Sequence, residues 1–135
     1  MTKQNLLEEL YSDSGPFDIS ATIAQIKPFV RFQRETNKIY LTDAGIEVSV
    51  DQKALLYGIG KKLLKSQILI DQESFSAKEV SDELGIKKGT IDPVFQTLRK
   101  KGLILGKKSN YTIPNDKVNK IFNLLNERSE HGKRT

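Results

Sequence analysis

The chain has no cysteine and no tryptophan, and it contains a single histidine. The absence of cysteine excludes a disulfide framework and a thiolate zinc site. No apolar run approaches the roughly 18 residues of a membrane-spanning helix, and the opening MTKQNLLEEL lacks the apolar core of a signal peptide. We therefore expect no membrane partner and a reducing, cytoplasmic location.

A catalytic constellation is also missing from the sequence. The one histidine, His131, falls in a polar C-terminal tail, where it is a poor general base or metal ligand. The carboxylates of Glu79, Asp82 and Glu83 are predicted to lie on the exposed side of a short helix, where solubility explains them. No nucleophile, base and orienting group come together along the chain. We expect neither an enzyme nor a bound metal or cofactor.

The composition is typical of a globular protein, with 37% hydrophobic and 29% charged residues among 135. This length accommodates one domain of ordinary size, or one domain with a small appendage. The net charge is +5 and is unevenly distributed: residues 1–47 carry five Lys/Arg and seven Asp/Glu, whereas residues 48–135 carry 17 and ten. This bias favours an anionic partner for the C-terminal two-thirds, with nucleic acid as the leading candidate.

The first 47 residues predict a small α/β extension. Apolar side chains at helical spacing predict a helix within residues 3–11 and a short helix over 19–26 that ends before a proline. Apolar residues in 29–32 and 39–41 flank the polar sequence RETNK and predict a β-hairpin. Residues 42–45 are predicted to form a turn, and a domain boundary is placed immediately after it.

The next helix has apolar residues on two sides. Ser49 and Gln52 form the S-x-x-Q pattern of a capping box, which places the start of the helix. Tyr57 and Leu64 lie roughly opposite a tight apolar stripe. We therefore expect burial on both sides, between the basic domain and either the N-terminal hairpin or a second subunit. The stripe consists of Leu55, Leu56, Ile59 and Leu63.

A second capping box, formed by Ser76 and Glu79, opens a short helix that Gly85 should end in a left-handed C-cap. A third helix follows, with apolar residues repeating at i, i+3, i+4 and i+7. Pro93 disfavours helical geometry at the residue before it, so this helix is predicted to begin at about Thr90. Its apolar stripe is Ile91, Val94, Phe95 and Leu98.

The C-terminal part predicts a second hairpin and a last helix. Apolar residues in 103–105 and 111–113 flank GKKSN, which predicts a hairpin with a basic tip. Asn115 is predicted to cap a helix over residues 116–129, and residues 130–135 to form a disordered tail. The apolar stripe of this helix predicts a homodimer interface or, as an open alternative, a cover for the core of its own subunit. The stripe consists of Val118, Ile121, Phe122 and Leu125.

Residues 76–113, SAKEVSDELGIKKGTIDPVFQTLRKKGLILGKKSNYTI, resemble the winged helix-turn-helix superfamily. Leu84-Gly85-Ile86 resembles its turn, and the Lys-Lys-Gly-Leu ending at Leu103 resembles the end of its recognition helix. Gly89-Thr-Ile-Asp-Pro is similar to the opening of that helix in PadR-like regulators. The resemblance implies an α+β fold, with a winged helix-turn-helix domain over residues 48–115 between the small α/β extension and the C-terminal helix.

The second helix of such a pair enters the major groove of DNA, and the wing follows the neighbouring backbone. Gln96 is suited to read adenine, and Lys100 to bind guanine or phosphate. Basic residues at the helix N-terminus and at the wing tip would contact phosphates. Residues 87–108 carry seven cations against one carboxylate, Asp92. The predicted DNA contacts are Lys87, Lys88, Thr90, Gln96, Thr97, Lys100, Lys107 and Lys108.

The sequence therefore predicts a protein that binds double-stranded DNA, as a transcriptional regulator. Two residues count against base reading by this helix: Asp92 would repel phosphate, and Pro93 shortens the surface that faces the groove. The alternative is a winged-helix module for protein–protein interaction within a transcription, chromosome or replication assembly, because fold implies function only through its site.

Overall fold

The computed structural model describes residues 18–107 and 110–134. This part of the chain forms six α-helices and two small antiparallel β-hairpins. The helix predicted within residues 3–11 and the predicted contact residue Lys108 lie outside the described residues. Within the described ranges, no helix is both long and apolar enough to cross a lipid bilayer.

The N-terminal part confirms the predicted short helix and hairpin. Asp18 begins the helix, because its carboxylate accepts a hydrogen bond from the Ala21 backbone N–H at 3.0 Å. The two strands pair antiparallel, with Arg31 opposite Tyr40. The elements are α1 (Ile19–Ile26), β1 (Val30–Phe32), β2 (Ile39–Leu41) and α2 (Asp43–Glu47).

Helix α2 replaces the turn that the sequence predicted for residues 42–45. Thr42 caps it, since its hydroxyl accepts a hydrogen bond from the Gly45 N–H at 3.1 Å and donates one to the Pro28 carbonyl at 2.6 Å. Gly45 is buried against the Phe29 carbonyl, where a Cβ atom would collide with backbone. The turn prediction is wrong because this close packing depends on the hairpin, which lies outside the local sequence.

Helix α3 (Val50–Ser66) lies at the centre of the fold, and the capping box predicted its start. Ser49 accepts a hydrogen bond from the Gln52 N–H at 3.4 Å. Both predicted stripes are buried, including Tyr57 and Leu64 on the second side. The helix contacts α1 and β1 as well as the C-terminal elements of the same chain. The two-sided burial is therefore confirmed, and it is the N-terminal hairpin that covers one of the sides.

Helix α4 (Ala77–Leu84) and helix α5 (Lys88–Lys100) pack closely on each other. Ser76 caps α4 by accepting a hydrogen bond from the Glu79 N–H at 3.0 Å. Gly85 ends it at φ +70°, a left-handed conformation that glycine adopts without steric cost. The sequence predicted both features.

Helix α5 begins two residues before the predicted start at about Thr90, and Pro93 lies inside it. The Lys87 carbonyl accepts hydrogen bonds from the Thr90 and Ile91 N–H groups at 2.9 and 3.1 Å, so the first turn is complete before the proline. The proline ring removes one N–H donor but does not stop the helix. Proline disfavours helical geometry at the residue before it, here Asp92, but this is only a steric preference. Packing of Ile91 into the core overrides it.

The C-terminal hairpin is shifted from the predicted strands by about two residues at its first strand. Strands β3 (Leu105–Lys107) and β4 (Asn110–Thr112) pair with Gly106 opposite Tyr111. Leu103 and Ile104 precede the strand and are buried in the core. The Leu103 N–H bonds to the Leu98 carbonyl at 3.0 Å, which ties this apolar pair to the end of α5 instead of to the hairpin.

A 3₁₀ turn (Asn115–Lys117) leads into helix α6 (Val118–Arg134). Asn115 does not cap the helix as predicted: Pro114 holds the N-cap position of the turn and no side chain caps it. Helix α6 also continues to Arg134, through most of the segment that the sequence predicted as a disordered tail.

The apolar stripe of α6 is buried within a single copy of the chain. Each of its four residues is 4% exposed or less, and all belong to the same core as the stripe of α3. Side chains enclosed in this way have no free surface to offer to a second copy. The predicted dimer interface is therefore wrong, and the alternative of intramolecular packing holds. The residues are Val118, Ile121, Phe122 and Leu125.

Candidate functional site

One side of α5 is buried, and the opposite side is open to solvent. Burial of Ile91, Phe95 and Leu98 fixes the rotation of the helix about its axis. The sequence predicted this orientation from the helical period. Beyond the first turn, the exposed residues are Asp92, Pro93, Gln96, Thr97, Arg99 and Lys100.

The N-terminus of α5 is exposed and positively charged. Lys87 occupies the N-cap position and makes no side-chain capping bond. Lys88 and Thr90 follow in the first turn, and both side chains are exposed. The first N–H groups of a helix lack intrahelical partners, and the helix dipole adds positive potential there. The exposure and positive charge of this helix end fit the contacts expected for Lys87, Lys88 and Thr90, and phosphate binding there stays a prediction.

A groove of about 680 Å³ separates α5 from the C-terminal hairpin, and we call it the basic groove. Among the described residues, five line it: Gln96, Arg99 and Lys100 from α5, and Lys107 and Tyr111 from the hairpin. The structure thus brings together three of the predicted contact residues and adds two. Three of these five side chains are cationic, so the groove has the charge to attract a chain of phosphates.

Aromatic packing holds the hairpin in position beside α5. The ring centroids of Phe95 and Tyr111 lie 5.1 Å apart, edge to face, and those of Phe75 and Phe95 lie 5.7 Å apart. Phe75 and Tyr111 also exchange two backbone hydrogen bonds, each 2.9 Å long. The hairpin is therefore attached to the core at Tyr111, and its position relative to the helix is defined.

Sequence reasoning did not predict Arg99 or Tyr111 as site residues. Arg99 follows Gln96 by three positions, so helical spacing alone places the two side chains on neighbouring parts of one surface. This spacing could have indicated Arg99, but the predicted contacts were the residues of the helix that lie farthest from its apolar stripe. Tyr111 becomes part of the groove only through its pairing with Phe75, which no local pattern indicates.

A second polar cluster lies where α3, α4 and β2 meet. The buried Tyr57 hydroxyl donates a hydrogen bond to Glu83 and lies 3.2 Å from a Glu79 carboxylate oxygen. Glu79 also pairs with Lys61 at 3.1 Å, and Glu83 accepts a hydrogen bond from the Ile39 backbone N–H at 3.3 Å. Burial, reinforced by the Glu83 and Glu79 carboxylates, raises the pKa of Tyr57 well above its ordinary value, so the hydroxyl stays protonated.

This cluster corrects the prediction that Glu79 and Glu83 serve solubility. Both side chains are half-buried and join three elements, whereas Asp82, between them in sequence, is exposed as predicted. Helical spacing places residues 79 and 83 on one face, but their partners lie on other elements.

Comparison of the chain with protein-family models, with curated proteins and with solved structures gave no match.

Proposed function

We propose that this protein binds duplex DNA as a winged helix-turn-helix protein and acts as a transcriptional regulator. In this assignment α4 and α5 are the helix pair, α5 is the recognition helix and the C-terminal hairpin is the wing. The short connection through Gly85, the close packing of α4 on α5 and the exposed outer side of α5 support it.

The observation that carries the proposal is the basic groove. Arg99, Lys100 and Lys107 face a common space between helix and wing, although they come from two elements. Lys87 and Lys88 add two more exposed cations at the start of the same helix. Five cations along one helix and its adjoining hairpin match the electrostatic footprint of phosphate contact. An arginine among them can bind a phosphate through two parallel hydrogen bonds.

Residues on the outer side of α5 would make the base contacts. Gln96 is exposed, and its amide is suited to the donor and acceptor pair that adenine presents in the major groove. Thr97 lies beside it and is also exposed. In this arrangement Lys100 reaches a phosphate or guanine, while the wing contacts only the phosphate backbone of the DNA.

The alternative, a winged-helix module that binds another protein, is favoured by two observations. Asp92 is an exposed carboxylate on the outer side of α5, where it would repel phosphate. Leu105 on the wing is 55% exposed, which is more typical of a protein interface than of a phosphate-binding strand.

Salt dependence distinguishes the two functions. Fluorescence anisotropy with a labelled random duplex should show binding whose affinity falls by about two to three orders of magnitude between about 50 and 200 mM salt, if the five cations each release a counterion. Absence of binding at the lower salt concentration would overturn the DNA proposal and leave the interaction module.

A further inference from the structure

Helix α1 leaves one stripe of its surface exposed. Thr22 and Ile26 are buried, whereas Ile23 between them is 48% exposed. The exposed positions repeat at i, i+3, i+4 and i+7, which is the period with which one helix packs on another. Two of them have short side chains, so a second helix can approach closely. The stripe consists of Ser20, Ile23, Ala24 and Lys27.

This stripe continues onto the outer face of the N-terminal hairpin. The Arg31 guanidinium donates hydrogen bonds to the backbone carbonyls of Lys27 and Val30, which holds its side chain against the end of α1. Tyr40 lies directly opposite Arg31 in the strand register, so the two side chains share one face of the hairpin. We call the combined surface the outer strip, and it consists of Ile23, Lys27, Arg31 and Tyr40.

The outer strip combines apolar surface with positive charge. Ile23 and Tyr40 are each about half exposed, at 48% and 49%. In the part of the chain that the structure describes, neither Lys27 nor Arg31 forms an ion pair. A surface of this kind is complementary to an amphipathic segment that carries negative charge.

Residues 1–17, which immediately precede α1, have that complementary pattern. They carry three carboxylates against one lysine. In the helix predicted within residues 3–11, Glu8 and Glu9 fall at the two edges of the apolar stripe, at about 100° per residue. A helix of nine residues is shorter than the roughly 12–15 that are marginally stable alone in water, so it needs a surface to pack on. Its apolar stripe consists of Leu6, Leu7, Leu10 and Tyr11.

The length of the connection fits a return of this segment along α1. Residues 12–17, SDSGPF, separate the predicted helix from Asp18 and contain the Ser, Gly and Pro of a turn. Six extended residues span about 20 Å, whereas Ile23 lies only about 8 Å along the helix axis from Asp18. A helix of nine residues is about 14 Å long, and α1 with eight is about 12 Å long, so the two are matched in length.

We propose that residues 3–11 form an amphipathic helix that packs on the outer strip of the same chain, antiparallel to α1. Its apolar stripe packs on Ile23 and Tyr40, and its carboxylates face Lys27 and Arg31. The basic groove would satisfy the carboxylates, but among its described lining residues it offers the apolar side chains only the ring of Tyr111. Helix α3 also lies between the N-terminal hairpin and the C-terminal elements. The proposal does not rest on DNA binding.

Hydrogen exchange of the full chain provides the first test. The backbone amides of residues 7–11 should exchange at least about tenfold more slowly than those of an unstructured peptide, because a packed helix protects them. Ile23→Asp should remove most of this protection, since it places a charge under the apolar stripe. Ile68→Asp makes the same change at a side chain that is 87% exposed in the loop after α3, and it should leave the protection unchanged. Unprotected amides in the wild type, or equal protection in both variants, would overturn the proposal.

A spin label locates the segment. Because the chain has no cysteine, Asn5→Cys carries a nitroxide at a single site, on the side of the predicted helix away from its apolar stripe. In NMR spectra the label should broaden the amide signals of Ile23 and Lys27 and spare those of Gln96 and Lys107. Broadening at the basic groove instead would overturn the proposal. So would broadening that appears when labelled chains are mixed with isotope-enriched, unlabelled chains, since the contact would then join two molecules.

Discussion

Gly58 and Gly60 lie two positions apart in α3 and approach opposite halves of the molecule. A Cβ atom at Gly58 would lie 2.7 Å from the Phe75 ring, and one at Gly60 would lie 3.1 Å from the terminal methyl of Ile39. The C-terminal elements therefore pack on one side of this helix and the N-terminal hairpin on the other. Both contacts are possible because these positions have no side chain.

Alanine at the two positions should have unequal effects. By helix propensity alone each substitution would stabilise the helix by about 1 kcal/mol. Gly58→Ala meets an enclosed aromatic ring, so we expect a net destabilisation of about 1–3 kcal/mol. Gly60→Ala meets the end of a flexible side chain, and its effect should be near zero. Urea unfolding measures both, and equal free energies of unfolding for the two variants would contradict the packing described.

Tyr57 should make stability depend on pH at the alkaline end. Its pKa is raised in the folded state. Its contribution to the free energy of unfolding is therefore complete below the unfolded pKa of about 10, and it decreases as the pH rises further. The decrease approaches about 1.4 kcal/mol per pH unit for one proton. Tyr57→Phe should be less stable at pH 7 by about 1 kcal/mol through loss of the hydrogen bond, but should lose stability less steeply above pH 10. If the free energy of unfolding fell equally steeply with pH in the wild type and in Tyr57→Phe, this account of Tyr57 would be contradicted.

Local sequence was sufficient for the starts of α3 and α4 and for the end of α4. Ser49, Ser76 and Gly85 act on partners within a few residues, so their patterns are complete in a short window. Glu83 is different, because its partners Tyr57 and Ile39 lie 26 and 44 positions away. Its role follows only from the approach of three elements.

The same distinction applies to the candidate site. The period of the apolar stripe in α5 predicted which side of the helix is exposed, and with it Gln96, Thr97 and Lys100. It did not predict the basic groove, since a groove requires the position of the hairpin. That position depends on the packing of Tyr111 against Phe95, which are 16 positions apart in sequence.

Substitution in the stripe of α6 should unfold the protein instead of separating a dimer. Ile121 is fully buried, so Ile121→Glu places a carboxylate in the core and should destabilise the fold by about 3–5 kcal/mol. Leu124 on the same helix is 39% exposed, and Leu124→Glu should cost less than about 1 kcal/mol. Thermal unfolding distinguishes the two variants by the size of their loss of stability. A folded, monomeric Ile121→Glu protein obtained from a dimeric wild type would restore the dimer interface.

Asp92 should oppose DNA binding if α5 enters the major groove. Asp92→Asn removes a negative charge from the outer side of the helix, and non-specific duplex affinity should rise about threefold at low salt. Glu35→Gln makes the same charge change at an exposed position of the N-terminal hairpin and should have a smaller effect. Equal effects for the two would indicate a response to net charge alone, and would place Asp92 away from the bound DNA.

Charge reversal in the basic groove tests the central claim most directly. The Arg99→Glu, Lys107→Glu double variant should bind a random duplex about a hundredfold more weakly than the wild type at about 50 mM salt, because two phosphate contacts become repulsive. Lys27→Glu with Arg34→Glu makes the same two changes at exposed positions of the N-terminal part and should retain most of the affinity. Anisotropy titration of the three folded proteins gives the answer. An affinity of the groove variant within about twofold of the wild type would contradict DNA binding through this groove.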